Sequence, residues 1–145
     1  NARLQRAIRS AGFRVTLDQR FEEVMRACGE RAETWITEEM IAAYVALHGQ
    51  GHSHSVEVWQ DGTLVGGLYG VSVGGAFFGE SMFSRVTNAS KAAFHHLVKH
   101  LRLRGFTLFD SQYINDHTAS LGAIEVPRST FRTMLAEALR NDADF

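Results

Sequence analysis

Ser55-Val56-Glu57-Val58-Trp59-Gln60-Asp61-Gly62 decides how this chain folds. Polar and apolar residues alternate as far as Gln60, which is the period of a β-strand. Asp-Gly then tolerates the positive φ of a tight hairpin turn, so Thr63 to Tyr69 reads as the return strand. Downstream, a third strand is expected from about Ala76 to Met82 and a long helix from about Asn88 to Arg104, stopped by Gly105. Phe106 to Asp110 reads as a short buried strand, Asp116 to Leu121 as a brief helix, Ile124 to Val126 as a further strand and Ser129 to Arg140 as a last helix. Upstream, Arg3 to Ala11 forms a short helix ended by Gly12. Asp18 caps a second helix, with Phe21, Val24, Met25 and Cys28 on one face and Gly29 closing it. Thr37 with Glu38 and Glu39 starts a third helix, running to about His48 with Met40, Ile41, Tyr44 and Leu47 inward. The pattern is α+β: an antiparallel meander, a central helix, then strand and helix.

The 145 residues are 45% hydrophobic and 21% charged, enough to bury a core within one domain. No apolar run approaches the roughly 20 residues that a membrane-spanning helix needs. Arg3, Arg6 and Arg9, with no apolar run behind them, do not make a secretory signal. A single cysteine, Cys28, excludes an internal disulfide framework, and a cytoplasmic setting is expected. Because the chain begins at Asn1, it reads as a fragment or a processed form. The net charge is only −1 but unevenly spread. Arg85, Lys91, Lys99, Arg102 and Arg104 occupy an acid-free run, and polyanion binding depends on such local charge. The plain alternative for that run is a solvated helix face.

Three stretches carry polar groups among core residues. In Gly66-Gly67-Leu68-Tyr69-Gly70 and Gly79-Glu80-Ser81-Met82-Phe83, the glycines suggest a bulge or a ligand lying against the backbone. Glu80, between Phe78 and Met82, is costly to bury without a partner. Asp110 and Gln112 are two apart, so in extended chain they share a side of the sheet, and a carboxylate there can orient the amide. The third stretch is Asn115 to Ala123. Its Asn, then Ala, then Leu-Gly resembles the final helix and turn of the Gcn5-related acyltransferase fold, a mixed twisted sheet flanked by helices. Acetyl-CoA users of that fold open the central helix with a Gly-rich phosphate cradle, whereas Arg85 to Lys91 contains no glycine. His48, His52, His54 and the His95-His96 pair raise a metal alternative. No acid or cysteine completes a ligand set, so no metal is expected.

Together these pieces closely resemble the bacterial leucyl/phenylalanyl-tRNA–protein transferases. The matching segments are Thr34-Trp35-Ile36-Thr37, Ala43-Tyr44, Leu47-His48, Gly51 to Trp59, Gly66 to Gly70, Gly79 to Arg85, Asn88 to Lys91, Asp110-Ser111-Gln112, Asn115 to Ala123 and Pro127-Arg128. On this reading residues 34–145 form the acyltransferase-like catalytic domain. Residues 1–33 form an N-terminal helical segment, the remnant of a truncated region, since family members usually carry a small additional N-terminal domain. At Leu68 the family often has methionine, a volume-conserving difference.

The resemblance implies transfer of Leu or Phe, less well Met, from aminoacyl-tRNA to proteins with N-terminal Arg or Lys, marking them for degradation. It implies no cofactor, and a monomer is expected. By family match, Asp110 holds Gln112, whose carbonyl orients the attacking amine, while Asn115 donates near the reacting carbonyl. Glu80 meets the cationic acceptor or fixes the tRNA terminus. Leu68, Phe77, Leu97 and Phe109 are candidates for the apolar pocket, Trp35 and Tyr44 for stacking on the terminal adenine. Lys91, Lys99, Arg102 and Arg104 are candidates for acceptor-stem phosphates. Two rival readings are a non-catalytic binder of tRNA ends or basic N-termini, and a small-molecule acetyltransferase.

Overall fold

The computed structural model describes residues 2–30, 34–111 and 122–145. In chain order the elements are α1 (Ala2–Ser10), β1 (Arg14–Leu17), α2 (Phe21–Cys28), α3 (Glu38–Gly49), β2 (Ser53–Gln60), β3 (Thr63–Val73), β4 (Ala76–Ser84), α4 (Ala89–Leu103), β5 (Leu108–Asp110) and α5 (Arg128–Leu139). The strands form one mixed sheet in the order β1-β2-β3-β4-β5, antiparallel up to β4, with β5 parallel to β4. A parallel neighbour needs a crossover, and α4 supplies it.

The hairpin forms where the sequence places it, with Asp61 at φ 51° and Gly62 at φ 79° in the turn. Thr37 caps α3 as expected, its hydroxyl accepting from the Met40 amide at 3.2 Å. Of the residues expected inward on α3, Ile41 is buried, while Met40, Tyr44 and Leu47 are half-buried. Other expectations need correction. Arg14–Leu17 is a strand inside the segment read as helical, and it pairs with Leu17 opposite Val56. Asp18 does not cap α2. It sits at φ 56°, and its carboxylate takes the Ser55 amide and the His54 ring at 2.9 Å each. Residues 124–126 are not a strand, and Ile124 is exposed. The helix expected over 116–121 lies outside the described residues.

The sheet divides the core in two, because neighbouring residues of a strand face opposite ways. Val56, Val58, Leu68 and Phe77 pack with Ala92, Ala93, Phe94, Leu97 and Leu101 of α4. Tyr69, Leu64 and Phe83 pack on the other face with Phe21, Val24, Met25 and Cys28 of α2 and Ile41 of α3. Gly66 is required for this sandwich: a Cβ there would lie 2.6 Å from the Cβ of Ala89, at the first turn of α4. The close approach read from the glycines is thus made by the chain's own helix. A bulge is present as well. Tyr69 pairs with Ser81 but Gly70 with Gly79, which leaves Glu80 as the extra residue of β4.

Candidate active site

The parallel pairing of β4 with β5 is short: Ala76 with Leu108, Phe77 with Phe109, Phe78 with Asp110. Beyond it β4 continues to Ser84 without a partner on that side among the described residues, so the sheet forks at Asp110. Gly79 stands in the fork, where a Cβ would meet the Phe109 ring at 3.2 Å and the Asp110 carbonyl at 3.7 Å. The next residue is Glu80. The bulge and the fork therefore bring Glu80 and Asp110 together from separate strands, although they lie thirty positions apart in the sequence. Burial first, and then the neighbouring Asp110 charge, hold the Glu80 carboxyl above its ordinary pKa. The same acid is felt by two tyrosines. Burial and Glu80 raise Tyr44; burial, Cys28, Tyr44 and Glu80 raise Tyr69. Gln112 and Asn115 lie outside the described residues.

On the α4 face of the sheet, all four residues expected for an apolar pocket meet. Leu68, Phe77 and Leu97 are buried in one cluster and Phe109 packs against it, its ring 5.8 Å from Phe77 and 5.2 Å from Phe94. Tyr44, half-buried on α3, stands edge-on to Tyr69 at 5.8 Å. Trp35 precedes the α3 cap and is 52% exposed, leaving its indole face open for stacking.

The basic stripe is split. Lys99 and Arg102 join Arg9 and His95 around a groove of about 800 Å³ between α1 and α4, floored by Leu4, Ile8, Phe94 and Val98. Lys91 lies two turns earlier on α4 and is half-buried. Arg104 follows the helix and donates to the Asp144 carbonyl at 2.9 Å. His96 and His100 add little charge to this face at neutral pH, since burial lowers both. Two of the histidines weighed as metal ligands have other partners: His48 Nδ1 lies 2.9 Å from the Ser53 carbonyl, and His54 bridges Asp18 to the Gly51 carbonyl and the Ser72 hydroxyl.

At the start of α4 the Ser84 hydroxyl accepts from the Ser90 amide at 3.1 Å and donates to the Val86 carbonyl at 2.8 Å. A first-turn amide that a helix N-terminus could otherwise offer to an anion is thus engaged by the chain itself. Two residues of consequence were not among the expected site residues, Tyr69 and Glu57. Tyr69 is fully buried beside Glu80. Glu57, also fully buried, takes hydrogen bonds from the Gln19 and Arg20 amides and so fixes the start of α2. The alternation along β2 and β3 marks their face, but no local pattern shows that the face is covered.

The family model described as leucyl/phenylalanyl-tRNA protein transferase matches residues 1–136. A leucyl/phenylalanyl-tRNA–protein transferase of Ruegeria pomeroyi is 56% identical over 142 residues, 98% of this chain and 68% of the relative. One from Gloeobacter violaceus is 54% identical over 137 residues, 94% of this chain and 71% of the relative. The chain thus spans about two thirds of the length of these relatives. Among solved structures, an aminoglycoside acetyltransferase from a soil metagenome, bound to sisomicin, superposes with TM-score 0.65 at 12% identity, over 83% of this chain and 93% of that one. An aminoglycoside N-acetyltransferase in complex with CoA gives TM-score 0.59 at 17% identity, over 80% and 90%. These structural likenesses establish the Gcn5-related fold.

Proposed function

Because the chain belongs to the leucyl/phenylalanyl-tRNA–protein transferase family of aminoacyltransferases, we propose that it transfers Leu or Phe, and less well Met, from aminoacyl-tRNA to proteins that begin with Arg or Lys. The new N-terminal residue marks the acceptor for degradation, and the enzyme works as a monomer in the cytoplasm. The acceptor's α-amine attacks the ester carbonyl of the aminoacyl-tRNA. A C–N bond forms, the C–O bond to the terminal ribose breaks, and the amine's proton leaves to the departing oxygen or to water. The ester is already activated, so this chemistry calls for no cofactor.

Each side chain takes one part of that task. Asp110 orients the Gln112 amide, whose carbonyl oxygen accepts from the attacking amine; a neutral amide positions better than it deprotonates. Asn115 donates to the carbonyl oxygen, where negative charge develops. Glu80 faces the cationic side chain of the acceptor. Leu68, Phe77, Leu97 and Phe109 receive the Leu or Phe side chain, and each buried methylene contributes about 0.8 kcal/mol to preference over smaller residues. Trp35 and Tyr44 stack on the terminal adenine, and Lys91, Lys99, Arg102 and Arg104 meet acceptor-stem phosphates.

What supports this reading most is the placement of Glu80 beside Asp110 at the sheet fork, where two carboxyl groups from separate strands converge. One assay tests it: transfer of labelled Phe from Phe-tRNA to a peptide starting with Arg, beside one starting with Ala. Product with the Arg peptide alone is expected. No transfer, or equal transfer to both, would overturn the reading.

A further inference from the structure

Among the described residues, Tyr69 is the one buried phenol at the fork to which the reaction above gives no part. Its side chain is fully buried, and its hydroxyl has no hydrogen-bond partner among the described residues. Phe21 from α2 and Tyr44 from α3 clamp the ring edge-on at 5.9 and 5.8 Å. An unpaired buried hydroxyl destabilises the fold, and phenylalanine would fill the same space without that cost. Directly across the ladder lies the bulge that holds Glu80, and no hydrogen bond or ion pair within the described residues closes on that carboxylate. Within the described residues, a donor and an acceptor that lack partners thus sit on adjacent strands, the phenol fully buried and the carboxylate half-buried.

We propose that Tyr69 is a positioning residue for the acceptor: its hydroxyl donates to the Glu80 carboxylate once a cationic N-terminal residue is seated there. This rests on the role given to Glu80 above. Among the described residues, the groups facing Glu80 are Tyr44 from α3, Tyr69 from β3 and Asp110 from β5, while Cys28 of α2 faces Tyr69. Without a cation, burial and the Asp110 charge hold the Glu80 carboxyl above its ordinary pKa, so its carboxylate form is weakly favoured. An arriving Arg or Lys favours the carboxylate. The phenol then holds the carboxylate in one orientation against its guest, a charge-assisted hydrogen bond formed only in the complex.

The test is Tyr69→Phe, alone and in a Glu80→Gln background, assayed with Phe-tRNA and an Arg-initiated peptide. The single variant is expected to melt no lower than the wild type. It is expected to lose about tenfold or more in kcat/KM for the peptide, with KM for Phe-tRNA unchanged. Its acid limb of kcat moves to higher pH, because a carboxylate deprived of a donor is harder to keep ionised. In the Glu80→Gln background no further loss is expected. Wild-type kinetics for Tyr69→Phe, an equal loss in both backgrounds, or a fall in Tm alongside the loss would each overturn the proposal. If Glu80→Gln alone transfers like wild type, the role of Glu80 falls and the proposal with it. If Glu80→Gln is impaired and Tyr69→Phe is not, only the present proposal falls.

Discussion

Glu57→Gln is the most demanding test of how the sheet holds α2. The Glu57 carboxylate is fully buried and accepts four hydrogen bonds. Oε1 takes the Thr16 hydroxyl at 2.7 Å and the Gln19 amide at 3.1 Å; Oε2 takes the Arg20 amide at 3.3 Å and the Ser55 hydroxyl. A glutamine of the same shape has one acceptor oxygen and one NH2. The hydroxyls of Thr16 and Ser55 can rotate to accept from that NH2, but a backbone N–H cannot. Whichever way the amide turns, either Gln19 or Arg20 is left facing a donor. An amide orphaned against this buried group costs about 1–3 kcal/mol, and losing the charge-assisted character of the remaining bonds adds roughly another 1. The expected total is about 3 kcal/mol. In a domain near 150 residues each kcal/mol moves Tm by roughly 2–4 °C, so the drop should be about 9 °C. Thermal unfolding followed by circular dichroism measures it, with Ser55→Ala as a milder control that orphans no backbone amide. A drop below about 3 °C would refute the reasoning, because it would mean that the Gln19 and Arg20 amides find water instead.

Asp110→Asn keeps shape but loses charge, so it is expected to fold normally and lose most transfer activity; near wild-type kcat/KM would remove Asp110 from the mechanism. Leu68→Trp narrows the cluster formed with Phe77, Leu97 and Phe109 and should harm Phe transfer more than Leu transfer, whereas equal losses in parallel assays would indicate a general folding defect. Replacing Lys91, Lys99, Arg102 and Arg104 by alanine should weaken whole aminoacyl-tRNA but hardly affect a short aminoacyl-adenosine mimic. Each lost phosphate contact should lower the slope of log K against log salt by roughly 0.7–0.9. Lys99 and Arg102, which line the groove with Arg9, should account for most of the change, and an unchanged slope means a solvated face.

Legibility followed the range of the interactions. The Asp61-Gly62 hairpin and the Thr37 cap are settled by neighbours in the chain, and both stand where the sequence puts them. Leu68 and Tyr69 fall on opposite faces because a strand alternates, which is why the pocket candidates converge. By contrast, Arg14–Leu17 is too short to announce itself and becomes a strand through its pairing with β2. The residue fixing the start of α2 is Glu57, from a strand far along the chain, whereas Asp18, in the local position for a cap, turns to β2 instead. Glu80 was legible as a carboxylate among aromatics. Its bulge was not, because a register shift is a property of two strands.

Among the described residues, Asp110 rides on the shortest ladder in the sheet. The hairpins joining β2, β3 and β4 return after tight turns, but Ala76 meets Leu108 only after the whole of α4 has been traversed. Three registered pairs must offset the entropy of closing that long loop. Local opening should therefore begin here, and in heavy water the amides of Leu108–Asp110 should exchange well ahead of those in the centre of β2 and β3. An acceptor seated in the fork adds contacts to this last strand, so substrate binding should appear first as slowed deuterium uptake at β5, before any change in the melting of the rest.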